Sequence, residues 1–176
     1  MSWLIDNRFR RLIIRPQILA DRLPLNPRSH VLEVGPGSGY FSVELAARVP
    51  DGALHLFDLH PEMLAKAAAK FGPEPPPNLS ATAGDAGAPW PFADGSFNLV
   101  LMVAVLGELG GAGPPLRSAF RTLSPSGTLA IHEHWPDPDF HRLGPLRQLV
   151  EAEGFQLAAS FGSRLNYTAL FRKRAT

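Results

Sequence analysis

The stretch that decides the fold is His30-Val-Leu-Glu-Val-Gly-Pro-Gly-Ser-Gly-Tyr-Phe41, an apolar run followed directly by three glycines at alternate positions. The run predicts a buried strand over 30–34, and the helical spacing of apolar residues from Tyr40 to Val49 predicts a helix. Glycines between a strand and a helix let the backbone turn sharply and a ligand approach closely. Amides at a helix start favour an anionic group. The stretch therefore predicts a ligand-binding loop.

Strand and helix patterns alternate through the rest of the chain. The predicted strands are 53–57, 78–83, 97–103, 128–132, 155–161 and 166–172, and the predicted helices are 61–71, 116–123 and 143–153. Residues 124–127 are predicted as a turn, and the last two strands, which flank Gly162-Ser163, as a hairpin. Strands separated by helices predict an α/β fold with a parallel sheet and right-handed crossovers. Ligands of such sheets lie at the carboxyl ends of the strands.

The N-terminal residues 1–27 are predicted as a helical segment preceding a single domain over 28–176. Apolar residues recur at helical spacing from Arg8 to Leu23, and Pro16 should kink or split that helix. With Trp3 and Phe9, the segment is a candidate lid over the ligand site. An equally good interpretation is a helix packed on the edge of the sheet.

Composition and charge exclude several classes of function. The chain has 176 residues and no cysteine, which suits one domain and excludes disulfides, iron–sulfur clusters and cysteine nucleophiles. Its net charge is +1, yet residues 1–30 and 164–176 each carry +4, around a middle of −7. Basic ends can attract nucleic acid or anionic lipid, but such charges are more often solvated faces. No apolar run approaches the ~20 residues of a membrane span, and no signal peptide is evident, so a cytoplasmic protein is predicted.

Two kinds of cofactor are compatible with a glycine loop of this type, a dinucleotide and S-adenosylmethionine. The dinucleotide fingerprint G-x-G-x-x-G would need glycine where this chain has Tyr40. The G-x-G-x-G spacing after Glu33 instead resembles motif I of the class I S-adenosylmethionine (SAM)-dependent methyltransferases. The resemblance runs from Arg28 to Arg172 and is strongest for the type 11 branch, which includes the ubiquinone/menaquinone methyltransferases.

Four further blocks carry the resemblance. Asp58-Leu-His-Pro-Glu-Met63 looks like the family's D-x-S-x-x-M, and Gly84-Asp85-Ala86 looks like its G-D-A. The segment 92–98 is similar to F-x-D-x-S-F-D with Asn98 in place of the last acid, and 123–127 stands in for L-x-P-G-G. The departures Asn98 and Ser126 fall at a strand start and a turn, so they do not weaken what the resemblance implies about the cofactor.

The resemblance implies a Rossmann-like, mostly parallel sheet of seven strands in the order 3-2-1-4-5-7-6, with strand 7 antiparallel and helices on both faces. It also implies SAM as cofactor. The cofactor-binding residues that it implies are Glu33, Gly35, Gly37, Gly39, Asp58, Leu59, Asp85 and Ala86. Asp58 would accept the ribose hydroxyls and Asp85 the adenine amino group. The structural alternatives are a turn-stabilising role for Glu33, a strand-end cap for Asp58 and a simple turn at Asp85.

Candidates for acceptor chemistry follow strands 4 and 5. Methyl transfer is an in-line displacement, so the protein mainly aligns the reactants and removes a proton where needed. His134 and Glu108 are the predicted catalytic residues, and the ordinary imidazole pKa of about 6.5 suits a base. His132 should share a strand face with His134, while Glu133 faces away. The histidines could instead be packed, or chelate a metal with Asp137, Asp139 and His141, although no metal is predicted.

The predicted acceptor is a small molecule, since 176 residues leave no room for an inserted recognition domain. After strand 4 the chain reads Met102-Val-Ala-Val-Leu106 rather than the N/D-P-P-Y/F element of enzymes that methylate base amines. Nucleic acid is therefore not expected as a partner, and a homodimer is left open. Two rival functions remain, an NAD-dependent oxidoreductase and a non-catalytic SAM-binding protein. Comparing the binding of S-adenosylhomocysteine (SAH) with that of NADH distinguishes a methyltransferase from the oxidoreductase. Turnover of SAM distinguishes it from the non-catalytic protein.

Overall fold

A single seven-stranded sheet with helices on both faces organises the computed structural model, which describes residues 14–175. The helices are α1 (Pro16–Arg22), α2 (Ser42–Arg48), α3 (Pro61–Ala69), α4 (Gly113–Thr122) and α5 (Leu143–Ala152). The strands are β1 (His30–Val34), β2 (Ala53–Asp58), β3 (Leu79–Ala83), β4 (Phe97–Val103), β5 (Leu123–His134), β6 (Phe155–Ser163) and β7 (Asn166–Lys173).

The strand order is β3-β2-β1-β4-β5-β7-β6, which confirms the prediction. Strands β3, β2, β1, β4 and β5 run parallel, and β7 is antiparallel to both β5 and β6. The order reverses between β1 and β4, because the chain leaves β1 toward β2 and β3 and later returns to the other side of β1. Ligands bind at such a switch point, beyond the carboxyl ends of the strands.

Alternate residues of each central strand enter two different cores. Val31 and Leu101 pack with α1, α2 and α3 on what we call the α1 face of the sheet. Leu32 and Val100 pack with α4 and α5 on the opposite, α4 face. Both faces of the central strands are thus covered, which explains why these strands read as continuous apolar runs.

Several predicted boundaries are wrong. Helix α4 begins at Gly113, three residues early, because prolines at 114 and 115 suit the first turn of a helix, where amide donors have no partner. Residues 124–127 belong to β5 rather than to a turn, and the register between β5 and β4 shifts there. Strand β5 continues to His134, and the hairpin turns at 164–165.

The predicted N-terminal helix is described only in part. Helix α1 begins at Pro16, the residue that was expected to kink or split it, since proline is favoured at a helix start. Residues 1–13, with Trp3 and Phe9, lie outside the described residues. Within residues 14–175, no helix has the length and apolar character needed to cross a membrane.

Candidate functional site

The loop between β1 and α2 depends on glycine for its backbone. Gly35, Gly37 and Gly39 have φ angles of 64°, 53° and 73°, all in the left-handed region that side chains disfavour. A Cβ on Gly39 would lie 2.8 Å from the Cα of Ala67 in α3, and one on Gly35 would meet the side chain of Val105. The loop is therefore held between α3 and the segment after β4, at the predicted switch point.

Replacing Gly39 with alanine should lower the free energy of unfolding by about 2–4 kcal/mol, because it adds both backbone strain and overlap with α3. Gly72→Ala is the matched control, since its φ is 85° but nothing lies within 4 Å of the added Cβ. That variant should lose only the strain, about 1–2 kcal/mol. Urea unfolding of both variants measures the difference, and equal losses would show that α3 does not press on the loop.

Asp58 joins the end of β2 to the glycine loop. Its Oδ2 accepts a hydrogen bond from the Gly37 amide at 3.3 Å, and its Oδ1 accepts one from the His60 amide at 3.0 Å. The strand-end cap and the proposed ligand contact are compatible, because a carboxylate offers about four acceptor positions. Leu59 follows with its side chain 58% exposed, so an apolar surface borders the carboxylate.

Asp85 and Ala86 follow β3 at the same edge of the sheet. Asp85 is exposed, and its Oδ1 accepts a hydrogen bond of 2.7 Å from the Gly87 amide, which makes a turn. Within residues 14–175 the Asp85 side chain has no other hydrogen bond, which leaves Oδ2 for a ligand amino group. Ala86 is half-buried, and its carbonyl accepts a hydrogen bond from the Trp90 indole at 3.0 Å.

Glu33 lies buried on the α1 face beneath the glycine loop. The Ser42 hydroxyl, at the start of α2, donates to its Oε2 at 2.6 Å. Burial raises the pKa of Glu33 to about 7; the Ser42 bond opposes that rise, and the charge of Asp58 adds to it. In the same loop, Ser38 Oγ is buried and has no partner among the described residues. A buried polar atom of this kind indicates a ligand or water contact.

The elevated pKa of Glu33 makes folding depend on pH. Between its ordinary pKa of 4.5 and about 7, the folded protein keeps a proton that the unfolded chain loses. Stability from this group is therefore complete below pH 4.5 and lost as the pH rises to about 7, at a cost of about 3 kcal/mol. Glu33→Gln, which still accepts the Ser42 bond, should be more stable than the parent at pH 8 and equal to it at pH 4.5.

Glu44→Gln on α2 is the control for this titration, because Glu44 pairs with Arg48 at 2.7 Å near the surface. Urea unfolding at several pH values should show the rising gain for the Glu33 variant alone. The same gain at pH 4.5 and pH 8 would contradict the assignment of the proton to Glu33.

The histidines at the end of β5 lie on one face, as predicted. His132 and His134 point to the α1 face, are 0% and 9% exposed, and have ring centroids 6.1 Å apart. Burial lowers the pKa of His132 to about 3, with smaller contributions from His134 and Arg22. His132 is therefore neutral at physiological pH and unsuited to act as a base. Glu108 is exposed in the loop after β4, the strand adjacent to β5.

Glu133 points to the opposite, α4 face, and organises the loop after β5. Its Oε2 accepts a hydrogen bond from the His141 amide at 3.0 Å, and the Tyr167 hydroxyl donates to the His141 carbonyl at 2.7 Å. Burial raises the pKa of Glu133 to about 7. His141 therefore lies on the α4 face, whereas His132 and His134 lie on the α1 face. The residues of the alternative metal site are thus divided between the two faces of the sheet.

Sequence reasoning missed two participants at this edge, Arg22 and Thr168. The Arg22 guanidinium donates from Nη1 to Thr168 Oγ1 at 3.1 Å, and that oxygen also lies 3.0 Å from His132 Nδ1. These residues come from α1, β7 and β5. The helical position of Arg22 was visible in the sequence, but no local pattern joins it to Thr168.

Comparison with known proteins adds a family match. A family model described as a methyltransferase domain matches residues 31–127, a range that contains the glycine loop, Asp58 and Asp85. The curated malonyl-[acyl-carrier protein] O-methyltransferase of Dechloromonas aromatica (strain RCB) is 31% identical over 163 residues. The match covers 82% of this chain and 57% of that protein, so the chain spans just over half the length of this relative.

Solved structures share the fold. A SAM-dependent methyltransferase from Aquifex aeolicus superposes with a TM-score of 0.84 at 19% identity, covering 95% of this chain and 94% of its own. The trans-methyltransferase CalH, in a complex with SAH, gives a TM-score of 0.71 at 18% identity, covering 85% of this chain and 52% of its own. At 18% and 19% identity, these likenesses show a shared fold and nothing more.

Proposed function

This chain belongs to the class I SAM-dependent methyltransferases, and from that premise we propose that it transfers the methyl group of SAM to a small-molecule acceptor at the edge of β4 and β5. The observation that carries the proposal is the contact of Asp58 with the Gly37 amide. It brings a carboxylate to the glycine loop, where the two ribose hydroxyls of SAM need an acceptor.

The residues at the switch point fit SAM. Asp58 would hold the ribose, the second oxygen of Asp85 the adenine amino group, and the exposed side chain of Leu59 would cover an apolar part of the nucleoside. The buried Ser38 hydroxyl and the Glu33 carboxyl lie at the glycine loop and would contact the part of SAM that enters it. SAM supplies a methyl group already activated by the positive charge on sulfur, so the protein needs mainly to position the acceptor.

On the acceptor side we propose His134 as the base and Glu108 as a second polar group of the pocket. They follow adjacent parallel strands, so both lie at the carboxyl edge of the sheet. The N-terminal segment 1–27 would cover this edge, and α1 already packs on the face where His134 lies. The name of the curated relative supports an oxygen atom as the methyl acceptor.

Calorimetric titration with SAH and, separately, with NADH tests the cofactor assignment. We expect SAH to bind and NADH not to bind, whereas the reverse would indicate an oxidoreductase and failure of SAH to bind would overturn the proposal. Incubation with labelled SAM and fractionated small metabolites then tests turnover. SAH binding without any transfer would favour a non-catalytic SAM-binding protein.

Two further assignments belong to the same proposal. We propose a cytoplasmic location, which fractionation of the source cells tests. A homodimer is tested by sedimentation of the purified chain, and a single species at the mass of one 19.1 kDa chain would contradict it.

A further inference from the structure

Arg22 and His132 meet on the α1 face through a shared hydroxyl group. Arg22 Nη1 donates to Thr168 Oγ1 at 3.1 Å, and the same oxygen lies 3.0 Å from His132 Nδ1. We infer that Arg22 and His132 form a subsite for a carboxylate group of the methyl acceptor. The inference rests on the proposed function, which it extends by naming the chemical class of the acceptor.

The charge of Arg22 is uncompensated in the described chain. Within residues 14–175, Arg48, Arg117, Arg121 and Arg147 each have a carboxylate oxygen within 3.0 Å, but no ion pair includes Arg22. Arg22 is also half-buried, and burial lowers the pKa of its guanidinium. Half-burying a charge without a partner costs free energy, which a bound anion would offset. A carboxylate matches the fork of N–H donors that a guanidinium presents.

The hydrogen bonds of Thr168 determine which nitrogen of His132 carries the proton. Thr168 is fully buried, and among the described residues His132 Nδ1 is the one acceptor within hydrogen-bond distance of its hydroxyl, so the hydroxyl proton is directed to Nδ1. A neutral imidazole that accepts at Nδ1 carries its proton at Nε2. His132 Nε2 is buried and has no partner among the described residues. The cluster therefore presents a neutral N–H donor at His132 Nε2 beside the charged guanidinium of Arg22, which suits an oxyanion.

The cluster lies close to the edge where we propose methyl transfer. His132 is in register with Val103 of β4, and its carbonyl accepts a hydrogen bond from the Ala104 amide at 2.9 Å. His134 lies two residues further along β5 on the same face. A carboxylate held by Arg22 and His132 would thus anchor one end of an acceptor whose remainder extends toward His134.

A carboxylate could reach Arg22 from two sources, the acceptor or the methionine part of SAM. Chemical modification of arginine by phenylglyoxal, followed by mass spectrometry, distinguishes them. We expect malonate, added to the SAH complex at constant ionic strength, to slow modification of Arg22 at least fivefold. Malonamide, the uncharged analogue, should not slow it. The exposed Arg28 is the internal control and should react at the same rate throughout.

Two variants separate ligand binding from packing. Arg22→Gln should abolish the increase in melting temperature that malonate gives the SAH complex, while Thr168→Val, which keeps the guanidinium, should retain most of it. Equal loss in both variants would indicate that Arg22 only fastens α1 to β7, and would overturn the inference. The inference would also be overturned if SAH alone protected Arg22, or if malonate gave no protection. Calorimetry with SAH on the same samples shows separately whether the proposed function holds.

Discussion

His134→Ala is expected to lower the single-turnover rate of methyl transfer about 10²- to 10⁴-fold, the range that general-base catalysis supplies. His134 ends β5 on the same face as His132, and burial keeps His132 uncharged, so we propose His134, which lies nearer the carboxyl edge, as the base. Affinity for SAH should not change, because the residues proposed to bind the cofactor lie at or just beyond the ends of β1, β2 and β3 instead. The measurement is the rate of transfer from prebound SAM to the identified acceptor, between pH 6 and 8.

His30→Ala is the matched control for this variant. His30 is exposed at the first residue of β1, at the opposite edge of the sheet, so its loss should leave the rate unchanged. The parent rate should depend on pH, whereas the residual rate of the His134 variant should not. Flat profiles of nearly equal height for parent and variant would rule out His134 as the base and would leave alignment of the reactants as the source of catalysis. An acceptor that reacts as a carboxylate would produce that outcome, since it has no proton to lose.

Asp58→Ala should weaken SAM binding by about 30- to 1000-fold, or about 2–4 kcal/mol. The variant removes the proposed acceptor for two charge-assisted bonds from ribose and also the contacts with the Gly37 and His60 amides. Asp58→Asn keeps an acceptor oxygen but loses the charge, so its affinity should fall between those of the alanine variant and the parent. Titration calorimetry with SAM and SAH gives each value.

A control must show that the Asp58 variants still fold. Asp51→Ala, in the exposed turn before β2, should have the affinity and the melting temperature of the parent. An Asp58→Ala protein that binds SAM as tightly as the parent would refute the ribose assignment. It would leave Asp58 with the capping role alone.

The parts of the fold that local sequence determines were predicted closely. The bounds of β1 and β4 agree residue for residue with the prediction, because both are buried apolar runs closed by residues that break strands. The glycine loop and Asp58 were predicted from motifs whose spacing is local. Boundaries failed where tertiary pairing decides them: the extra length of β5 depends on partners in β4 and β7.

The proposed acceptor side was less predictable for a physical reason. Arg22 and Thr168 are 146 positions apart, and their contact exists only because β7 inserts next to β5. Sequence also gave no sign that His132 would be buried deeply enough to lose its basicity, since alternation predicts a face and not a degree of burial. Likewise, the hydrogen bond from Ser42 to Glu33 depends on how α2 packs.

The alternation along the end of β5 bears on how acceptor preference could be re-engineered. The buried side chains at 132 and 134 face one side of the sheet, while Glu133 between them supports the loop after β5 from the other side. Substitution at 132, with His134 kept as the proposed base, would therefore test new acceptors while the supporting loop keeps its anchor. A library that also varies position 133 should instead yield mostly unstable clones, so three adjacent codons need three different treatments in a design.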